Sequence, residues 1–242
     1  MPQNIYDDPA FFEGYSQFKR SVEGLTGAPE WPTLRSMLPP LQNLRVLDLA
    51  CGFGYFTRWA AQAGAASVLG IDLSAMMLER AQAQTDDPRV RYVRGDIEQL
   101  ELPDAAFDLV YSSLALHYVE DFPALCITVK RLLAQHGRFV FSVEHPLFTA
   151  PERLEWEKDA HGHVIWPLNN YLMEGQRVRD WIAAGVIKQH RTIASYVNGL
   201  LDAGFQLTRL EEWGPNAEQI AEHPEWANEL HRPPFLLVAA QR

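Results

Sequence analysis

Cysteine is scarce in this chain of 242 residues: only Cys51 and Cys126 occur. Two are too few for a disulfide framework, and neither stands in a C-x-x-C or zinc-type spacing, so a reducing compartment is expected. No stretch approaches the roughly 18 apolar residues of a membrane span. The start, Met1 to Pro9, has no basic flank leading into an apolar run. A cytoplasmic protein without a membrane partner is therefore expected. Basic residues are in the minority, 21 Lys and Arg against 31 Asp and Glu, for a net charge of −10. That balance opposes binding to phosphate backbones, and nucleic acid is not expected as a partner. Internal repeats and low-complexity tracts are absent too.

What remains is ordinary globular material: 47% hydrophobic and 21% charged residues can bury a sizeable core. The length suits one domain, residues 1–242, with additions. Residues 1–40 mix aromatic and polar side chains at helical spacing up to the breaker Pro39-Pro40, and read as an N-terminal helical lid. Short apolar strands then alternate with helices: Arg45 to Leu49, Ser67 to Ile71, Val90 to Val93, Phe107 to Ser112 and Arg138 to Val143 are strands. Between them, Tyr55 to Gln62, Ser74 to Gln84 and a stretch from Asp121 to Ala134 are helical. Such alternation predicts a doubly wound α/β sheet.

From 144 to 190 the periodicity weakens. Pro146, Pro151, Gly162, Pro167, Gly175 and Gly185 punctuate a segment rich in Trp, Tyr and His, read as a loop-rich insertion covering the substrate. A helix from about Thr192 to Ala203 and strands Phe205 to Glu211 and Phe235 to Ala240 complete the chain. The core is therefore expected over 41–143 and 191–242. The last two strands are close enough in sequence to form an antiparallel pair.

The strongest motif is Val46-Leu47-Asp48-Leu49-Ala50-Cys51-Gly52-Phe53-Gly54. Glycines in a strand-to-helix turn let backbone approach a ligand, and the helix N-terminus offers free N–H groups. A dinucleotide fingerprint would place a third glycine where Thr57 stands, and Asp48 would face a pyrophosphate's charge. A ligand carrying both an ammonium and a carboxylate suits the acid and the turn better.

Here the sequence resembles the class I methyltransferases that use S-adenosylmethionine (SAM). The resemblance continues through Gly70-Ile71-Asp72-Leu73-Ser74, Gly95-Asp96-Ile97 and Phe107-Asp108-Leu109-Val110, covering roughly Leu44 to Val143. It implies a Rossmann-like sheet of seven strands, mostly parallel with an antiparallel last strand. SAM is implied as cofactor, held by Tyr15, Asp48, Ala50, Gly52, Gly54, Asp72, Leu73, Met77, Asp96, Ile97 and Ser112. Asp72 would receive the ribose hydroxyls, Asp96 the adenine amino group, and Tyr15 would cover the cofactor. Cys51 is read as a packing residue.

The expected activity is methyl transfer to an O- or N-nucleophile of a small molecule. Alternatives on the same fold are an NAD(P)-dependent oxidoreductase, which would want a hydride-transfer set such as Tyr-x-x-x-Lys, and a non-catalytic SAM or metabolite-binding module. His117, after the fourth strand, and His145, after the fifth, are the candidate bases. Glu144, His190 and Arg191 are candidate substrate contacts, the arginine through a bidentate grip on an acidic group. Tyr6, Trp31, Trp156, Trp166, Tyr171 and Trp181 supply aromatic faces suited to a cation. His161 and His163 lack a third ligand at a persuasive spacing, so no metal is expected. A homodimer is left open.

Overall fold

The computed structural model describes residues 3–242. Three short helices come first: α1 (Pro9–Ser16), α2 (Lys19–Val22) and α3 (Trp31–Ser36). The start of α1 is set by Asp8, whose Oδ1 accepts the Phe11 N–H at 2.9 Å, with proline in the first turn. Strand and helix then alternate through β1 (Arg45–Leu49), α4 (Tyr55–Gln62), β2 (Ser67–Asp72), α5 (Ala75–Ala83), β3 (Val90–Arg94), β4 (Phe107–Ser113), α6 (Phe122–Leu132) and β5 (Leu133–Glu144).

The insertion carries α7 (Pro146–Thr149), the small pair β6 (Glu157–Lys158) and β7 (Val164–Ile165), and a long hairpin of β8 (Gly175–Trp181) and β9 (Ala183–His190). Then follow α8 (Ile193–Asp202), β10 (Gln206–Trp213), α9 (Ala217–Glu222) and β11 (Phe235–Gln241).

Seven strands form one sheet in the order β10-β11-β5-β4-β1-β2-β3. The five central and edge strands from β5 to β3 pair in parallel, and β11 runs antiparallel to both β5 and β10. The chain winds outward from β1 through β2 to β3, then returns to β4 on the other side of β1. Ligands of such sheets lie beyond the carboxyl ends of the strands near that reversal.

Because both faces are covered, alternate residues of one strand enter different cores. Leu47, Leu49, Phe139 and Phe141 pack on one side with Leu125 and Val129 of α6 and Leu200 of α8. Val46, Val140, Leu109 and Tyr111 pack on the other with Phe56 and Ala60 of α4 and with Trp31 and Leu34 of α3. Trp31 and α3 thus belong to the sheet's packing, and only the part of the preface before them overhangs the carboxyl edge.

The insertion is less loop-like than its glycines imply. Its hairpin alternates half-buried and exposed residues along Gly175–Trp181, and Ile182 takes a left-handed φ of 59° at the tip. Polar residues on the solvent side (Gln176, Asp180) and charged ones on the inner side (Arg177, Arg179) mask the two-residue period in a hydropathy reading.

Candidate cofactor and acceptor sites

The turn between β1 and α4 passes through left-handed backbone at Ala50, Gly52 and Gly54, with φ of 55°, 52° and 71°. The two glycines serve different ends. A Cβ at Gly54 would sit 2.1 Å from the Tyr92 hydroxyl, so that glycine is required by packing. A Cβ at Gly52 would meet no atom within 4 Å. Bare backbone therefore faces open space at Gly52, the approach a ligand needs.

Asp72, at the end of β2, closes this turn from the side. Its Oδ2 accepts the Gly52 N–H at 2.8 Å and its Oδ1 accepts the Ser74 N–H at 2.9 Å. Burial raises its pKa, against the pull of those N–H groups. Asp48 lies deeper, 2% exposed, and accepts the Thr57 hydroxyl at 2.5 Å. Burial pushes its carboxyl up to about 7, with Asp72 adding to the rise. Thr57, where a dinucleotide fingerprint would have glycine, is thus the partner of the buried acid.

The preface is fastened over this edge by Asp7. Its carboxylate accepts the Ser74 hydroxyl at 2.6 Å and the Met76 N–H at 3.1 Å at the start of α5. Tyr6 is thereby held above the strand ends, its hydroxyl 3.2 Å from that of Tyr118.

A cavity of about 140 Å³ opens between these parts. Ala50, Gly52, Asp72 and Leu73 line it from the first two strand ends, Met77 from α5, Asp96 and Ile97 from the segment after β3, and Tyr15 from α1. Asp96 is braced by the Glu98 N–H at 2.9 Å. Asp48 lines a smaller adjoining cavity of about 110 Å³, again with Tyr15, Ala50 and Gly52. Gly54 lines neither and packs against Tyr92. Ser112 also lies outside: it is fully buried, and its hydroxyl donates to the Leu49 carbonyl at 3.0 Å. Strand alternation sends Ser113 to the opening instead.

A larger cavity of about 410 Å³ adjoins the first. Tyr6, Tyr15, Ser113, Leu114 and Tyr118 line both. His117 and Glu144 face the larger one only. The His117 ring is 2% exposed, and its Nδ1 accepts the backbone N–H of Glu144 at 3.3 Å. The neutral ring therefore carries its proton on Nε2 and is a donor, with burial pushing its pKa down to about 4. Glu144 pairs through Oε1 with the Lys188 ammonium at 2.5 Å, while Oε2 is buried with no partner among the described residues. Burial favours its neutral form, but the charge and hydrogen bond of the Lys188 ammonium oppose it, and its pKa lies below the ordinary value.

Three expected contacts are placed elsewhere. His145 is fully buried: Nδ1 accepts the Leu147 N–H at 3.1 Å, capping α7, and Nε2 meets Glu212 at 2.9 Å. It lines neither cavity, so it is not positioned as a base. His190 is spanned by the Thr149 hydroxyl at 2.7 Å and the Tyr171 carbonyl at 2.8 Å. Arg191 donates to the carbonyls of Val119 and Glu120 at 2.5 and 2.8 Å, tying β9 to the segment after β4. On β9 it is Lys188 that reaches Glu144, from behind the wall of the larger cavity.

The aromatic side chains divide likewise. Trp181 joins Tyr6 and Tyr15 at the larger cavity. Trp156 and Trp166 pack around Arg232, and Tyr171 against His190. Sequence reasoning passed over Ser113, Tyr118, Lys188 and Arg232. Only Tyr118 carried a signal, as the neighbour of His117. Among the described residues no group of three or more His, Cys, Asp or Glu side chains is placed to hold a metal, and no helix is long and apolar enough to cross a membrane.

A family model described as a methyltransferase domain matches residues 47–141. The solved SAM-dependent methyltransferase of Mesorhizobium loti is 52% identical and superposes with a TM-score of 0.88, over 90% of this chain and 100% of that one. A second solved structure, from Listeria monocytogenes, is 42% identical with a TM-score of 0.84, over 90% and 99% of the two chains. Trans-aconitate 2-methyltransferase of Deinococcus radiodurans is 42% identical over 47% of this chain, which spans only 42% of that protein.

Proposed function

The chain belongs to the class I SAM-dependent methyltransferases, and we propose that it transfers the methyl group to an oxygen or nitrogen nucleophile of a small molecule held in the larger cavity. The observation that carries this reading is the shared wall: Tyr6, Tyr15, Ser113, Leu114 and Tyr118 border both cavities, so a group can pass between their occupants. The residues present fit the cofactor. The bare backbone at Gly52 faces open space where a ligand can approach it closely, and the acids of the smaller cavities suit hydroxyl and amino groups. Asp72 would take the ribose hydroxyls, Asp96 and Ile97 the adenine, and Asp48 the amino group.

When bound, SAM supplies an electrophilic methyl group on a sulfonium, and the protein's task is to align an acceptor with it and keep water away. Tyr6, Tyr15 and Trp181 roof the junction and exclude solvent. His117, neutral with its proton on Nε2, donates a hydrogen bond to the acceptor and does not take its proton. Glu144, ionised and with Oε2 unpartnered, takes up the proton that an O–H or N–H nucleophile loses as its new bond to carbon forms. The small-molecule reading is supported by an aromatic-lined cavity, by the chain's acidity, and by a relative named for its action on trans-aconitate.

Labelled-methyl transfer assays over small acids, alcohols and amines, beside transfer RNA and protein acceptors, test the proposal. Turnover confined to small acceptors is expected. Turnover on macromolecules alone, or cofactor binding unaltered in Asp72→Ala, would sink it.

A further inference from the structure

The larger cavity has a far end that takes no part in the junction. Arg232 stands there, in the segment leading into β11, beside Phe148, Glu229, Pro234 and Phe235. It is 3% exposed, a rare setting for a guanidinium unless it is fully paired. One nitrogen, Nη2, donates to Glu229. The others, Nε and Nη1, are buried with no partner among the described residues. Three aromatic rings pack on the guanidinium: Trp166, Phe148 and Trp156, with centroids 4.3, 4.6 and 5.2 Å from Cζ.

We propose that Arg232 is the specificity residue of the acceptor cavity and anchors a carboxylate of the substrate, whose other end presents the nucleophile at the junction. This rests on the methyl-transfer reading above. Several observations converge. The arginine lines the same cavity as Glu144 but not the cofactor cavity, so it grips a part of the acceptor away from the reacting atom. Of the residues that line this cavity, two have buried polar atoms left short of partners, and they are complementary: Glu144 Oε2 wants a hydrogen donor, and Arg232 wants an acceptor. A molecule with a nucleophilic O–H or N–H at one end and a carboxylate at the other satisfies both.

Charge decides between carboxylate and phosphate. Arg20 faces the cavity already bridged to Glu30 at 3.0 Å, and Arg232 is partly neutralised by Glu229. Glu144 is held by Lys188 and Lys19 is exposed at the rim, so Arg232 is the buried cation there with donors to spare, and a single negative charge suits it better than a phosphate's two. The apolar rings of Phe148, Phe235 and Trp181 accommodate a hydrocarbon body between the ends. Aromatic faces around the arginine restrain its fork and exclude water, which strengthens its hold on an anion.

The test measures binding of phenylacetate and succinate, each beside its amide, to protein loaded with S-adenosylhomocysteine, by calorimetry and tryptophan fluorescence. The acids are expected to bind at least tenfold more tightly than the amides. Arg232→Gln should erase that preference, and Arg232→Lys should retain part of it. Glu229→Gln, which removes the competing carboxylate, should tighten acid binding several-fold. In every variant the affinity for S-adenosylhomocysteine should stay within twofold, which separates loss of the anchor from loss of the fold or of the methyltransferase reading. If Arg232→Gln does not fold, the lysine and Glu229→Gln variants decide. Equal binding of acids and amides, absence of acid binding, or an unchanged preference in Arg232→Gln overturns the proposal. Tighter binding of phenyl phosphate than of phenylacetate overturns the choice of carboxylate.

Discussion

The Asp72 carboxylate accepts the backbone N–H of Gly52 at 2.8 Å, so the acid at the end of β2 fixes the turn that follows β1. One side chain thereby shapes the cradle and faces the cavity that the cradle borders. Asp72→Asn keeps the volume but turns one acceptor oxygen into a donor, which cannot satisfy both the Gly52 and the Ser74 N–H groups. Calorimetry with S-adenosylhomocysteine should show about 100-fold weaker binding, the loss expected for two charge-assisted hydrogen bonds. Affinity within threefold of the parent would show that Asp72 braces the turn without holding ligand.

Asp48 makes cofactor binding depend on pH. In the free protein its carboxyl titrates at about 7, raised by burial. An ammonium beside it favours the ionised form, so binding expels the proton whenever the free group holds one. Affinity for S-adenosylhomocysteine should be level above pH 8 and fall about tenfold by pH 6, with proton release measurable as a dependence on buffer ionisation heat. Asp48→Asn should flatten the profile. A profile equally steep in that variant would place the titrating group elsewhere.

His117 makes stability, rather than cofactor affinity, fall with pH. Its folded pKa of about 4 lies below the ordinary value, so protonation favours the unfolded chain. The contribution is complete above about pH 6.5 and is withdrawn as pH falls from there, and the loss by pH 4 amounts to on the order of 3 kcal/mol. Urea midpoints followed from pH 7 to 4 should drop more steeply in the parent than in His117→Gln.

Much of this could be read from the chain and some could not, for physical reasons. The parallel strands announce themselves as apolar runs, and the acids after β1, β2 and β3 follow those runs directly. The sequence points to Ser112, whereas Ser113 faces the opening, because the phase of a strand buried on both faces is invisible in hydropathy. His145, His190 and Arg191 looked functional because polar residues near a strand's carboxyl edge usually are. Each is instead consumed by capping and by carbonyls that an irregular insertion leaves unpaired. Arg232 reaches the acceptor cavity from the segment before β11, and Lys188 reaches Glu144 from β9; no local pattern joins segments so far apart in sequence.

His145→Ala separates structure from chemistry. Losing the cap of α7 and the Glu212 contact should cost about 1 to 2 kcal/mol of stability, while cofactor affinity and turnover of folded protein stay within twofold. A fall in kcat beyond tenfold at temperatures well below unfolding would restore it as a participant in the reaction.

The Glu144–Lys188 pair sets the polarity of the acceptor wall, and a double-mutant cycle exposes what it does. The carboxylate and the ammonium are 15% and 6% exposed at 2.5 Å. Lys188→Met therefore leaves a buried charge without its partner, at a cost of about 3 to 5 kcal/mol. Glu144→Gln should cost a similar amount by stranding the ammonium. The double variant places two neutral groups there and should recover most of either loss, giving a coupling of about 2 kcal/mol or more in urea unfolding. Turnover separates the partners. Because Oε2 of Glu144 is the free acceptor, Glu144→Gln should lower kcat at least tenfold in both backgrounds, whereas Lys188→Met should act chiefly on KM and stability. Equal kcat losses in the two single variants would show that the pair acts as one positioning unit and that Glu144 takes no hydrogen from the nucleophile.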